Sequence, residues 1–196
     1  MFLQTFNEVG LTYLNSFSIN NKIATIVGIF ADAPIFFIPI FLIVTWVLLN
    51  YKKKGDKKEE ILIIFYSTII GIVFALIIQH LVHMDRPENY IKTTGKLLLK
   101  HIPDASFPSD HATVSFAFLT SLYFANYKKV FYAFLPFVCI MLLSRVIAGV
   151  HWPLDIVVGT IIGIFSSYIT FKYLKKLEII KKINKLILKI ASFVKL

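Results

Sequence analysis

Long apolar runs separated by short lysine-bearing breaks limit what this chain can fold into more than any other feature of it. A helix needs about 18–20 predominantly apolar residues to cross a bilayer, and several stretches here approach or exceed that length. The 196 residues are 57% hydrophobic, with a mean hydropathy of +0.74, far more apolar than soluble domains of this size. The expected fold is all-α: a polytopic membrane helical bundle with about five transmembrane helices plus amphipathic N- and C-terminal helices. It reads as a single integral membrane domain over 1–196, with no room for a second soluble domain.

Residues 2–19 mix Phe2, Leu3, Phe6, Val9, Leu11, Leu14 and Phe17 with polar side chains, which suits a helix lying at the membrane interface. A first span runs from about Pro34 to Asn50 and stops at the lysine block that begins at Lys52; the 20–33 stretch before it can add an entering helix. A second span covers about Glu60 to Val82. A polar segment, 83–110, follows and carries Pro87, Gly95, Pro103 and Pro108. A third span starts near His111 and stops at Asn126-Tyr127-Lys128-Lys129, and a fourth runs from about Val130 to Val150. A turn at His151-Trp152-Pro153, with Trp152 as an interfacial anchor, leads into a fifth span, about Leu154 to Tyr173. In the tail, about 174–196, lysines alternate with Ile179, Ile183, Leu186 and Ile190. One face is apolar and the other basic, as expected of a helix lying on anionic lipids.

The net charge of +10 belongs to these breaks. Because the lysines flank spans, membrane topology accounts for them and a nucleic-acid partner is not expected. With the 51–60 loop in the cytoplasm, strict alternation puts 126–129 and 172–196 there too, and these regions hold fifteen of the 21 lysines and arginines. The positive-inside rule favours that orientation. It gathers Arg86, Ser109, His111, Arg145, His151 and Asp155 on the outer face of a cytoplasmic membrane. Cys139, the one cysteine, lies mid-span and reads as a small buried apolar residue.

Polar residues at such span ends are costly to keep without a use, and these form a set suited to phosphate chemistry. Arg86 and Arg145 offer planar forks that match phosphate oxygens and stay charged. In Pro108-Ser109-Asp110-His111, Ser109 is a good N-cap, with Asp110 and His111 in the first helical turn. Such a terminus presents N–H groups to an anion, and His111 can protonate a leaving oxygen. Asp110 fits the macrodipole or adjusts the charge of the pocket. His151 and Asp155 stand four residues apart and share a face if a helix starts at Pro153. A carboxylate on one imidazole nitrogen frees the other for attack. Asp32, just outside the first span, is in place either to contact the lipid headgroup or to cap a helix, and the cap is the expected role. No His-x-x-x-His or Cys-x-x-Cys spacing supports a metal site.

Together these pieces resemble the type 2 phosphatidic acid phosphatase superfamily, whose motifs are Lys-x6-Arg-Pro, Pro-Ser-Gly-His and Ser-Arg-x5-His-x3-Asp. The third is complete at Ser144, Arg145, His151 and Asp155; the second has Asp110 in place of Gly; the first keeps Arg86-Pro87 but has Gln79 at the Lys position. The resemblance implies that His151 is the nucleophile of a phosphohistidine, Asp155 its orienting carboxylate and His111 the acid. Arg86, Ser109 and Arg145, with Ser144, would clamp the phosphate, and no metal or other cofactor is implied. The two departures are similar to the bacitracin-resistance subgroup, which removes a phosphate from undecaprenyl diphosphate and so recycles the lipid carrier of peptidoglycan synthesis. Lys92, Lys96 or Lys100 is the expected replacement for the missing lysine.

The membrane lipid substrate is thus expected to carry a polyprenyl diphosphate headgroup. A second reading keeps the chemistry and changes the lipid to phosphatidylglycerol phosphate, phosphatidate or lipid A phosphate. A third is a non-catalytic lipid-phosphate binder or transporter; against it, binding needs the cations alone, whereas a His–Asp pair serves catalysis. The oligomeric state is not readable from the sequence.

Overall fold

The computed structural model describes residues 2–52, 55–99 and 105–193, and no strand occurs among them. The helices are α1 (Phe2–Asn15), α2 (Asn21–Asp32), α3 (Phe37–Tyr51), α4 (Gly55–Leu81), α5 (Glu88–Thr94), α6 (Asp110–Phe124), α7 (Lys128–Ile147), α8 (Pro153–Lys172) and α9 (Glu178–Phe193). Local chemistry sets several of their ends. Asn20 caps α2, its Oδ1 accepting from the backbone N–H of Lys22 at 3.0 Å and of Ile23 at 3.3 Å. Ser109 caps α6, and Pro153 opens α8, where its fixed φ and missing N–H do no harm. Gly149, at φ +78°, makes the turn between α7 and α8.

Helices α4, α6 and α8 form the centre of the bundle. Glycine permits the closest approach: a Cβ on Gly159 would lie 2.5 Å from the Ser109 carbonyl oxygen, and one on Gly163 2.4 Å from that of Thr113. Small residues at such spacing let two helix backbones touch. Deeper in the bundle, Ser67 of α4, Ser121 of α6 and Ser167 of α8 form a buried hydroxyl chain, with Ser121 and Ser167 2.9 Å apart. A second apolar layer, with Leu42, Phe118, Val138 and Met141 among its members, packs α3 and α7 onto α6. Cys139 points the other way and is exposed on α7, contrary to its expected burial.

Among the described residues three helices are long and apolar enough to cross a membrane: Lys57–Leu81, Lys128–Ile147 and Pro153–Lys176. The pair Asn21–Asp32 and Phe37–Tyr51, bent by 48°, makes a fourth if counted as one span. Of the five spans expected, α6 is the one that this length criterion leaves out. At 15 residues it is about 22 Å long, less than the ~30 Å hydrocarbon core. Helices α4, α7 and α8 enclose it, so protein replaces lipid around much of its length.

The N-terminal helix is more than an interfacial float. Asn7, Leu11 and Asn15, one turn apart, are all buried. The Leu154 N–H donates to Asn7 Oδ1 at 3.0 Å, so α1 caps the start of α8. Asn15 Nδ2 donates to the carbonyls of Lys96 and Ile147 at 2.8 and 2.7 Å. At the opposite end of the bundle, Tyr66 donates to Asn184 Oδ1 at 2.8 Å and Asn184 Nδ2 to Glu59 at 3.1 Å, which seats α9 against α4. The apolar stripe Ile179, Ile183, Leu186 and Ile190 is left exposed.

Candidate active site

The start of α6, the ends of α2 and α7, the first turn of α8 and the segment between α4 and α5 meet at one end of the bundle. His151 and Asp155 lie one turn apart at the opening of α8. Asp155 Oδ2 accepts from the Trp152 N–H at 2.9 Å and from the Ser106 hydroxyl, and lies 3.2 Å from His151 Nδ1. With the Nδ1 proton committed to that carboxylate, the lone pair stands on Nε2. That nitrogen faces Arg86 Nη1 at 3.4 Å, and Arg86 Nη1 also donates to the Val150 carbonyl at 2.8 Å. The His151 side chain is 3% exposed and that of Asp155 fully buried, so the pair is shielded from water.

A second cluster adjoins it. Arg145, 1% exposed, donates from Nη1 to the Ala31 carbonyl at 3.0 Å and to Asp32 Oδ1. The same nitrogen is 3.2 Å from His111 Nε2. The two clusters share backbone: the Val150 N–H donates to the Arg145 carbonyl at 3.2 Å, and the Ser109 N–H to the Asp155 carbonyl at 3.1 Å. Two arginines, two histidines and the N-terminus of α6 therefore lie in two linked clusters at this end of the bundle, and such a set of positive charge and N–H donors suits an anion. Among the described residues no three His, Cys, Asp or Glu side chains come together as a metal-binding group.

The domain model of the PAP2 superfamily matches residues 60–179, which run from within α4 through α8. The chain belongs to the PAP2 superfamily. It is 29% identical to the "Bacitracin transport permease protein BcrC" of Bacillus licheniformis over 95% of this chain and 85% of that protein. It is 26% identical to the "Undecaprenyl-diphosphatase BcrC" of Bacillus subtilis over 68% of this chain and 66% of that protein. The crystal structure of Aquifex aeolicus LpxE is similar in fold, with a TM-score of 0.62, 21% identity, and coverage of 82% of this chain and 94% of that one.

Seen as a PAP2 site, the geometry brings together Arg86, Ser109, Asp110, His111, Arg145, His151 and Asp155. Ser109 caps α6 through the Ala112 N–H at 3.5 Å, and Asp110 and His111 occupy the first turn as the spacing predicts. Ser144 is buried in the last turn of α7, where its carbonyl accepts from the Ala148 N–H at 2.8 Å. Of the lysines expected to fill the first PAP2 motif, the two described ones, Lys92 and Lys96, pair with asparagines. Lys96 Nζ donates to Asn21 Oδ1 at 3.0 Å, at the start of α2, about 16 Å along that helix from Asp32. Lys92 pairs with its neighbour Asn89 at 3.3 Å, and Lys100 lies outside the described residues. The motif position itself, Gln79, hydrogen-bonds to Asp110.

Two residues of the site have partners that the sequence reading does not name. The Ser106 hydroxyl donates to Asp155. Asp32, read as a helix cap, is instead the ion-pair partner of Arg145. Trp152 is held within the protein: its indole N–H donates to the Asp85 carbonyl at 3.0 Å and its ring packs on Tyr90.

Proposed function

We propose that this PAP2-type lipid phosphatase removes the terminal phosphate of undecaprenyl diphosphate through a phosphohistidine on His151. The observation that carries the chemistry is the arrangement around His151, whose Nδ1 rests on Asp155 and whose Nε2 faces Arg86. The relatives named for undecaprenyl diphosphate supply the substrate, and the near full-length match to a BcrC protein supports it.

The steps follow from the positions. The terminal phosphate sits between the forks of Arg86 and Arg145 at the start of α6, with Ser109 as a further donor. His151 Nε2 attacks phosphorus, and the bond from phosphorus to the bridging oxygen breaks. His111 gives its proton to that oxygen, which leaves on undecaprenyl phosphate. Asp155 stabilises the charge that builds on the His151 ring. A water then attacks the phosphohistidine, His111 takes its proton, and orthophosphate departs with His151 restored. Each residue used in the first half is returned by the second, and the balance is one water consumed per phosphate released.

The lysine distribution supports an outer-face site in the cytoplasmic membrane. The site end of the bundle carries Arg86 and Arg145, while Lys57, Lys58, Lys128 and Lys172 lie at the ends of α4, α7 and α8 away from it. On this reading the enzyme recycles the carrier lipid of peptidoglycan synthesis, as bacitracin resistance requires. The basic face of α9 lies on anionic lipids of the inner leaflet.

The test is phosphate release by detergent-solubilised protein, without added metal, from undecaprenyl diphosphate, phosphatidylglycerol phosphate and phosphatidate, with His151→Ala as control. Preference for the polyprenyl diphosphate, lost in the variant, is the expected result. Equal turnover of the three lipids would sink the substrate assignment. No release from any would sink the catalytic reading.

A further inference from the structure

Asp32 ends α2, outside the region that the PAP2 family model matches, and outside all three motifs. Yet its carboxylate lies in the site. Asp32 Oδ1 accepts from Arg145 Nη1 and stands 3.6 Å from His111 Nε2; the Arg145 nitrogen is itself 3.2 Å from that His111 nitrogen. The three side chains form a closed triangle drawn from α2, α6 and α7. Exposure is graded across it. Arg145 is 1% exposed, His111 21% and Asp32 41%, so the carboxylate stands at the mouth with the guanidinium behind it.

The protons distinguish two states of this triangle. A guanidinium has donors only, so a His111 Nε2 that bonds to Arg145 offers its lone pair, and its ring is neutral. The Nε2–H form, which an acid needs, is repelled by Arg145 and has Asp32 as its counter-charge. At 3.6 Å the carboxylate balances an imidazolium without forming the short bond that would withhold its proton from a leaving group. A phosphate arriving on Arg145 brings its own negative charge to the guanidinium and so competes with Asp32 for it.

We propose that Asp32 is the positioning carboxylate of His111: it occupies Arg145 while the site is empty, yields that arginine to the substrate phosphate, and then supports the protonated His111. The inference rests on the phosphatase reading above and extends it. Each histidine of the site has its own carboxylate, Asp155 for His151 and Asp32 for His111, and the second comes from a helix that the family's motifs do not reach.

The experiment compares Asp32→Asn and Asp32→Glu with the parent, as full-length protein in detergent. It measures kcat and KM on undecaprenyl diphosphate, and orthophosphate binding by titration calorimetry. For Asp32→Asn, kcat falls about 10- to 100-fold, part of the total worth of a general acid. Orthophosphate binds about fivefold tighter, because the competing charge has gone. Asp32→Glu recovers most of kcat. A purely structural anchor for α2 would weaken phosphate binding, lower kcat together with thermal stability, and respond alike to both variants; that pattern overturns the proposal. So does an Asn variant with kcat and phosphate affinity unchanged. If Asp32→Asn does not fold, Asp32→Glu decides: retention of kcat within about tenfold supports the role, and total loss in a folded protein removes it. Should the parent release no phosphate from any lipid, the phosphatase reading fails by itself. The calorimetric comparison still decides whether Asp32 and phosphate compete for Arg145.

Discussion

Gln79 Nε2 donates to Asp110 Oδ1 at 2.8 Å and to the Pro108 carbonyl at 3.1 Å. These are the two positions at which the first and second motifs depart from the PAP2 pattern, Gln for Lys and Asp for Gly. The departures are physically one: the amide that stands for the lysine holds the carboxylate that stands for the glycine. Both lie beside the start of α6, so the pair makes the proposed phosphate cradle two charge units less positive than the Lys and Gly combination would.

That coupling is measurable. In Gln79→Lys the ammonium meets Asp110 before it meets phosphate, and kcat/KM on the polyprenyl diphosphate stays within about threefold of the parent. Asp110→Gly strands the Gln79 amide. Only Gln79→Lys with Asp110→Gly frees a cation for the substrate. A double-mutant cycle on kcat/KM therefore shows a coupling of about 1 kcal/mol or more, roughly fivefold. Strict additivity of the two single changes would mean that the bond is incidental.

In the proposed mechanism Asp155 and Ser106 act in series on His151. An amide at 155 no longer fixes the His151 proton on Nδ1, and the expected loss in kcat for Asp155→Asn is about 10³- to 10⁴-fold with little change in KM. Ser106→Ala removes one of the donors to a fully buried carboxylate, a loss of about 1.5 kcal/mol or roughly tenfold in kcat. Steady-state kinetics of the two variants check the order. A rise in KM with kcat intact would move both residues to phosphate binding.

Helix ends that carry the chemistry are legible in the sequence because capping is local. Ser109 before a helical run, Pro153 at a first turn, and His151 with Asp155 four residues on each need only their neighbours to be read, and all three stand where the spacing predicts. Asp32 is not legible in this way. It meets Arg145 across 113 residues, and nothing in its surroundings separates an ion-pair partner from a cap. Ser106 is hidden for the same reason, with its partner 49 residues away. The lysines show a different limit: charge gives no direction to a long side chain, and Lys96 turns to Asn21. Cys139 and α6 show a third. In a membrane protein the lipid face and the core face are both apolar, so hydropathy neither tells an exposed Cys139 from a buried one nor shows that a 15-residue α6 is clad in protein.

Gly159 and Gly163 hold the two halves of the site in register. A methyl group at either would press on the backbone of α6, at the Ser109 and Thr113 carbonyls, and rigid backbone cannot give way as a side chain end can. Gly163→Ala is expected to cost about 1–3 kcal/mol of stability, seen as a lower melting temperature in detergent. Gly159→Ala, next to the cap residue Ser109, is expected to lower kcat more than Gly163→Ala does, since it moves Ser109 and His111 relative to His151. Equal and small effects on both measurements would show that α6 and α8 are free to separate.

Tyr127 offers a test at the far end of the bundle, independent of catalysis. Its hydroxyl donates to Glu60 Oε2 at 2.6 Å. Burial, and then the bond and the charge of Glu60, hold its ionisation above the ordinary tyrosine value of about 10. A group whose folded pKa is raised contributes stability that is fully present below its unfolded pKa and is lost as pH rises through the folded one. The contribution of Tyr127 is therefore complete at neutral pH and declines only above about pH 10. Tyr127→Phe should lower the melting temperature at pH 7 by an amount matching about 1 kcal/mol, leave kcat unchanged, and flatten the fall in stability above pH 10. A variant as steep as the parent at high pH would assign that alkaline loss to other groups, and a fall in kcat would mean that the two ends of the bundle are coupled.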